Sequence, residues 1–281
     1  MAFHDRPYYG GPQRGGGFGG GSMGGGGFRI PTPRRGSYTF WLLIINFAVF
    51  FLDAFFSRTQ SGESFLKTWG NFNFEQGIAG FQVWRVISYQ YLHAGFGHIF
   101  FNMMVIFFFG PYVEQFLGSK RFLGYYTLCG ISGVALYMIL FGLGQAVDDP
   151  STVPFLIDGT INDTLIGASA CTFGILVAML RIAPHQQVLV FLVVPVKIWI
   201  IVTVALIYET YSVMVGSPNV GGSAAHLGGA ILGWLLICRP HLLNFTERVS
   251  VDDVKDRINE RVAEQKHKRT VARDAEIDRI L

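Results

Sequence analysis

A serine and a histidine stand at the heads of two separate apolar runs: Gly167-Ala168-Ser169-Ala170 opens one, and Ala225-His226-Leu227-Gly228-Gly229 opens another. Moving a hydroxyl or an imidazole out of water costs kilocalories unless it is partnered, so reactive polar groups at such depth point to function. A serine hydroxyl attacks a carbonyl only when a base within hydrogen-bond reach takes its proton, and an imidazole of pKa about 6.5 suits that task. Ser169 is therefore the expected nucleophile and His226 the expected general base of an acyl-transfer dyad. The tetrahedral intermediate also needs donors aimed at its oxyanion. A helix start at Ser169 supplies unpaired backbone N–H groups, and His98 and Asn102, at the head of a third apolar run, are the candidate side-chain donors. No aspartate or glutamate on these three runs suggests itself as a third member, so packing is expected to orient the imidazole. Glu209, on another run, reads as a locally paired carboxylate.

The elements that must position these groups are apolar segments at 39–56, 99–113, 122–143, 166–182, 196–215 and 224–238. Crossing a bilayer core about 30 Å thick takes roughly 20 residues, so these runs read as membrane spans, the shorter ones tilted or enclosed by neighbours. Hydrophobic residues make up 51% of the chain and charged ones only 15%, with the charges crowded toward the ends, which argues against a soluble surface. Arg29, Arg34 and Arg35 precede the first run, Lys120 and Arg121 lie between the second and third, Arg181 follows the fourth and Arg239 the sixth. The positive-inside rule places all of these in the cytoplasm, giving six spans with both termini cytoplasmic. Spans two, four and six then all run inward from the outer face. Their heads, carrying His98 and Asn102, Ser169, and His226, gather at one level.

Gly229 and Gly233 form a small-xxx-small face, expected to press toward Gly167 and Gly174 so that two backbones approach closely. His93 reads as a structural residue of the first loop, and Glu114 as one of an ion or hydrogen-bonded pair on the cytoplasmic side. Cys129, Cys171 and Cys238 have no metal or redox spacing and read as buried small hydrophobes. No HExxH pattern is present, no cofactor is implied, and no metal is expected. The formal net charge of +3 suits anionic lipid headgroups and is no evidence for nucleic acid. Residues 1–36 form a glycine-rich segment expected to be a disordered cytoplasmic tail, 37–240 an all-α membrane domain, and 241–281 a charged, helical cytoplasmic tail with a sparse stripe at Val254, Ile258 and Val262.

Several of these residues recur together in one known family. Trp84-Arg85, His93, His98 and Asn102, then Gly110, Glu114 and Gly118, then Gly167-Ala168-Ser169, then Ala225-His226 followed by Gly229 and Gly233 resemble, in order and spacing across 39–240, the rhomboid intramembrane serine proteases. The resemblance implies a six-helix bundle around a water-filled cavity open to the outside, with Ser169 as nucleophile, His226 as base, and His98 with Asn102 as oxyanion donors. It implies a loop-positioning role for Trp84 and Arg85, and a ring stacked on the catalytic histidine at Phe173. Two positions depart from the family: Ala170 stands where glycine is usual, and Phe173 where tyrosine is frequent. Alanine keeps its N–H and phenylalanine its stacking face, so an active enzyme is expected. Its implied substrates are single transmembrane helices whose backbone unwinds near the outer end, cleaved after small residues. The rival from another class is a catalytically silent rhomboid-like protein that binds membrane clients and guides their trafficking or degradation. A transporter fits less well, because the ionisable groups gather at one face instead of lining a path.

Overall fold

The computed structural model describes residues 32–56, 64–190 and 193–246. The stripe expected at Val254, Ile258 and Val262 and the glycine-rich segment 10–27 lie outside the described residues. Helix α1 (Tyr38–Phe56) is followed by two short helices, α2 (Phe65–Gly70) and α3 (Arg85–Ser88). Then come α4 (Phe96–Leu117), α5 (Ser119–Gly144), α6 (Ser169–Ile182), a hairpin of β1 (Gln187–Val190) and β2 (Val194–Lys197), α7 (Ile198–Met214) and α8 (Val220–Cys238). By length and composition α1, α4, α5 and α8 can each cross a membrane, whereas α6 and α7 are shorter apolar helices. The outside is apolar: Phe51, Phe55, Phe101, Val204, Ile207 and Ile231 are all more than half exposed. The inside holds buried Asn46, Asn102, Thr172, Glu209, Ser212 and Ser223. An outside this apolar around an interior that holds polar groups belongs to lipid, and the chain is an integral, multi-pass membrane protein.

Several boundaries differ from the sequence reading, each for a local reason. Helix α6 begins at Ser169 and not at 166, because Gly167 sits at φ +128°, a conformation that L side chains rarely adopt and that interrupts a helix. Gly118, at φ +85°, reverses the chain in a single residue, so Lys120 and Arg121 lie in the first turn of α5 and not in a loop. Residues 194–197 are extended, not helical. Val194, Val196 and the N–H-less Pro195 favour a strand over a helix, and they pair antiparallel with 187–190 in the register Val188↔Val196. Cys129 and Cys171 are buried as expected, but Cys238, the last residue of α8, is exposed. Pro240–Thr246 form a 3-10 turn whose Leu243 is fully buried beside Gly124 of α5, so the first residues of the expected tail belong to the packed bundle.

Helix α6 is central. It packs on α4, α5, α7 and α8, and Ala170–Thr172 and Gly174–Met179 are all buried. Enclosed this way, a helix of 14 residues, about 21 Å long, need not match the lipid thickness. Its closest approach is to α8: a Cβ on Gly229 would overlap the Ala170 carbonyl group, with the carbonyl carbon at 2.7 Å, and a Cβ on Gly233 would lie 2.8 Å from Gly174 Cα. Helix α5 completes the packing through Gly133, where a Cβ would meet Ala170 Cβ at 2.7 Å and the Ala225 carbonyl oxygen at 2.8 Å. The Ser132 hydroxyl donates to the Gly228 carbonyl at 2.8 Å, tying α5 to the same stretch of α8.

At the far end of α4, Glu114 caps α1. Its carboxylate accepts from the N–H groups of Tyr38 (2.9 Å) and Thr39 (3.0 Å) and from the Thr39 hydroxyl (2.6 Å), satisfying helix-start donors with a negative charge. The partner expected for this residue is thus the head of α1. Replacing Glu114 with Ala should lower stability by about 2 kcal/mol, the worth of hydrogen bonds to a charged acceptor; unfolding in detergent micelles would measure it. Gly229→Ala and Gly229→Val should both insert yet melt well below the wild type, since the Cβ itself collides with α6. A wild-type melting temperature in Gly229→Val would refute this packing.

Candidate active site

Gly167 determines what surrounds Ser169. Besides its left-handed backbone it has no room for a side chain: a Cβ there would sit 2.6 Å from both Cε1 and Nε2 of His98, and 3.5 Å from Ser169 Oγ. The His98 ring edge and the Ser169 hydroxyl therefore border one small space beside Gly167. The Gly167 N–H donates to the Tyr89 carbonyl at 2.9 Å, and the Tyr89 hydroxyl donates to Gly130 of α5 at 2.7 Å, which anchors this turn to the first loop. Nδ1 of His98 accepts from the Ala94 N–H at 3.4 Å. That bond assigns the proton of the neutral ring to Nε2, the edge that faces Ser169.

Asn102 lies one turn after His98 on the same face of α4 and is buried. The Thr172 hydroxyl is shared between Asn102 Oδ1 at 3.2 Å and the Ser169 carbonyl at 2.9 Å, which holds the amide with its NH2 turned the other way. Nδ2 makes no hydrogen bond among the described residues. A buried donor without a partner carries a penalty of about 1–3 kcal/mol, which an incoming acceptor would relieve.

His226 lies two turns into α8, stacked on Phe173 with ring centroids 4.5 Å apart and planes within 7°. Phe173 is one turn beyond Ser169 on the same face of α6, and Gly229 is one turn beyond His226 against Ala170. The His226 ring thus lies on the face of α6 that Ser169 shares with Phe173. The Ser169 hydroxyl makes no hydrogen bond to His226 in this structure; such bonds are often long or misaligned before substrate is in place. Nδ1 of His226 lies 3.0 Å from Glu209 Oε1 on α7. The distance is that of an ion pair, with the ring N–H off the line to the oxygen.

The sequence reading missed this contact. Its signal was nonetheless present: Glu209 is the sole Asp, Glu, Lys, Arg or His of α7, as His226 is of α8, and isolated ionisable groups on adjoining apolar helices tend to find each other. Thr172 was missed too, for it reads as one more small residue in an apolar run. Of the glycines expected to meet Gly229 and Gly233, Gly174 does meet Gly233, but Gly167 does not meet Gly229; its bare Cα makes room for His98 instead.

The first loop is organised by Arg85, which is 2% exposed and gives Nη1 to the Asn71 carbonyl (2.7 Å) and side chain (2.9 Å), Nη2 to Thr68 (2.9 Å) and Nε to Gln82 (2.8 Å). Trp84 donates its indole N–H to the Trp69 carbonyl at 3.1 Å. His93 is buried with its ring edge-on to His98, 5.1 Å between centroids. Burial and the neighbouring His98 push its pKa down to about 3. A histidine depressed this far stays neutral in the folded loop while the opened loop takes a proton below about pH 6.5, so stability falls as the solution is acidified from 6.5 toward 3. His93→Phe should remove up to about 1.4 kcal/mol per pH unit of that slope. Thermal melts at pH 7 and pH 5 would show it as a smaller acid shift than in the wild type; an unchanged shift would contradict the neutral assignment.

Comparison with known proteins places this arrangement among relatives. The sequence pattern described as Rhomboid domain matches residues 80–239. The chain is 27% identical over 180 residues to RHOMBOID-like protein 4 of Arabidopsis thaliana, covering 63% of this chain and 40% of that protein. It is 26% identical over 216 residues to Rhomboid protease AarA of Providencia stuartii, covering 74% and 75% respectively. It is also 30% identical over 105 residues to Inactive RHOMBOID-like protein 8 of Arabidopsis thaliana, covering 37% of this chain and 27% of that one. The chain thus spans less than half the length of several relatives it matches.

Proposed function

The chain belongs to the rhomboid family, and on that premise we propose that it is an intramembrane serine endopeptidase that hydrolyses peptide bonds of transmembrane substrates through an acyl-enzyme on Ser169. One observation carries the reading: the His98 Nε2 edge and the Ser169 hydroxyl border the same space beside Gly167, while the buried Asn102 Nδ2 makes no hydrogen bond among the described residues. In this reading Ser169 Oγ bonds to the scissile carbonyl carbon as its proton passes to His226 Nε2, and the carbonyl electron pair moves onto oxygen. His98 Nε2–H, Asn102 Nδ2–H and the backbone N–H groups at the start of α6 receive that oxyanion. The proton on Nε2 then goes to the leaving nitrogen as the C–N bond breaks, and water, deprotonated by His226, releases the acyl group.

Because family membership includes a relative named as inactive, the pairing of Ser169 with His226 is what separates the enzyme from a silent client-binding protein. Arg34 and Arg35 before α1, Lys120 and Arg121 at the start of α5, Arg181 late in α6 and Arg239 after α8 support cytoplasmic termini, with the site opening to the outer face. A helix in lipid hides its carbonyls in hydrogen bonds, so the substrates this reading favours are those whose backbone unwinds near that face.

In proteoliposomes with a model transmembrane substrate, the wild type should cleave while Ser169→Ala and His226→Ala should not. A fluorophosphonate probe should label the wild type and lose its target in Ser169→Ala. Cleavage persisting in both variants would overturn the reading. Asn102→Ala should lower kcat by roughly 10²–10³-fold, the usual effect of removing one oxyanion donor, with KM little changed.

A further inference from the structure

We propose that Glu209 is a positioning residue for His226: from α7 its carboxylate holds the Nδ1–H of the imidazole, leaving the Nε2 lone pair as the one that faces Ser169. The inference rests on the protease reading for its catalytic consequence, but its geometry stands apart from it.

The contact has several independent supports. Glu209 Oε1 lies 3.0 Å from His226 Nδ1, and the two side chains are 10% and 15% exposed, so the pair is largely withdrawn from water. Glu209 is the sole acidic residue of an apolar helix of 17 residues, and Ser223, one turn before His226 on α8, gives its carboxylate a second favourable partner. Among the described residues His98 of α4 also lies within electrostatic reach of His226, and it carries no negative charge. On the opposite side the ring lies flat on Phe173, which fixes its plane but cannot choose between its two tautomers. Stacking leaves the ring free to flip about its own axis, exchanging Nδ1 with Cδ2. A carboxylate at Nδ1 removes that freedom and selects the tautomer protonated there.

The chemical role follows from charge. When Ser169 gives its proton to Nε2, the imidazole becomes a cation, and a carboxylate 3.0 Å from the opposite nitrogen stabilises it at that moment. Glu209 stays ionised throughout; the Nδ1 proton remains on the ring, and only the serine proton travels, first to Nε2 and then to the leaving nitrogen. Helix α7 thereby supplies the ring's orientation from outside the three helices that carry Ser169, His226 and the oxyanion donors.

The test compares wild type, Glu209→Gln, Glu209→Asp and Glu209→Ala in detergent and liposomes. Glu209→Gln keeps the shape and removes the charge. It should lower kcat by roughly 10²–10⁴-fold with KM nearly unchanged, the upper end being the effect of the equivalent charge-removing change in a Ser-His-Asp triad. Glu209→Asp should recover part of the rate. A carboxylate that only stabilised the fold would lower melting temperature and active fraction alike in Gln and Ala variants, leaving kcat per active molecule unchanged; that outcome would overturn the proposal. Nitrogen-15 spectra of selectively labelled histidine provide the second readout. In the wild type His226 should appear as the Nδ1–H tautomer, and in Glu209→Gln as a mixture. An identical tautomer in both would overturn the proposal even if the enzyme is active. Wild-type protein that neither cleaves nor labels, yet shows the Glu209-dependent tautomer, would remove the protease reading and leave the positioning contact standing.

Discussion

The contact on which everything else rests is the meeting of two backbones, where Gly229 of α8 lies against the carbonyl of Ala170 in α6. In lipid there is no hydrophobic drive to bring helices together, because hydrocarbon tails serve an apolar side chain as well as another helix does; close van der Waals approach and interhelical hydrogen bonds must suffice. Glycines at 133, 174, 228, 229 and 233 permit that approach among α5, α6 and α8. Ala170 is the neighbour of Ser169, and Gly229 stands one turn from His226. A spacing set by backbone contact is rigid, which is what a site built from two separate helices needs.

Around that contact the structure deals with its buried polar groups pair by pair. At one end of α4 the Glu114 carboxylate answers the unpaired N–H groups that begin α1; in the first loop Arg85 is enclosed by carbonyl and amide oxygens. Between these ends, Thr172 orients Asn102 and Ser132 reaches across to Gly228. Each arrangement obeys the rule that hydrocarbon cannot supply a missing hydrogen-bond partner. Against this background the Asn102 Nδ2, buried and without a hydrogen bond among the described residues, and the His98 ring edge beside Gly167 and Ser169 mark a polar region at the head of α6.

Glu209 alters how the machinery is divided among helices. The groups that would touch substrate come from α4, α6 and α8, all of whose heads lie on one side. The carboxylate that meets His226 comes from α7, which runs the other way between the hairpin and α8. The 3.0 Å approach of Glu209 to His226 ties the imidazole to α7, so a movement of that helix would reach the ring.

Much of this was legible in the residues themselves. An apolar chain with charges at its ends, and Ser169, His226, His98 and Asn102 at the heads of apolar runs, suffice to imply a membrane bundle with a polar site at one level, because burial in lipid is a strong constraint on composition. Two short-range features escaped a reading by hydropathy, since hydropathy does not see backbone angle: the left-handed Gly167 that begins α6 three residues late, and the valine-proline hairpin that delays α7. The pairing of Glu209 with His226, the grip of Thr172 on Asn102, and Gly167 making room for His98 in place of Gly229 needed the packed molecule. Those contacts join positions 17 to 70 residues apart, and which face each helix turns to its neighbour is decided by where glycines let backbones close, a property of the assembled bundle that no single segment contains.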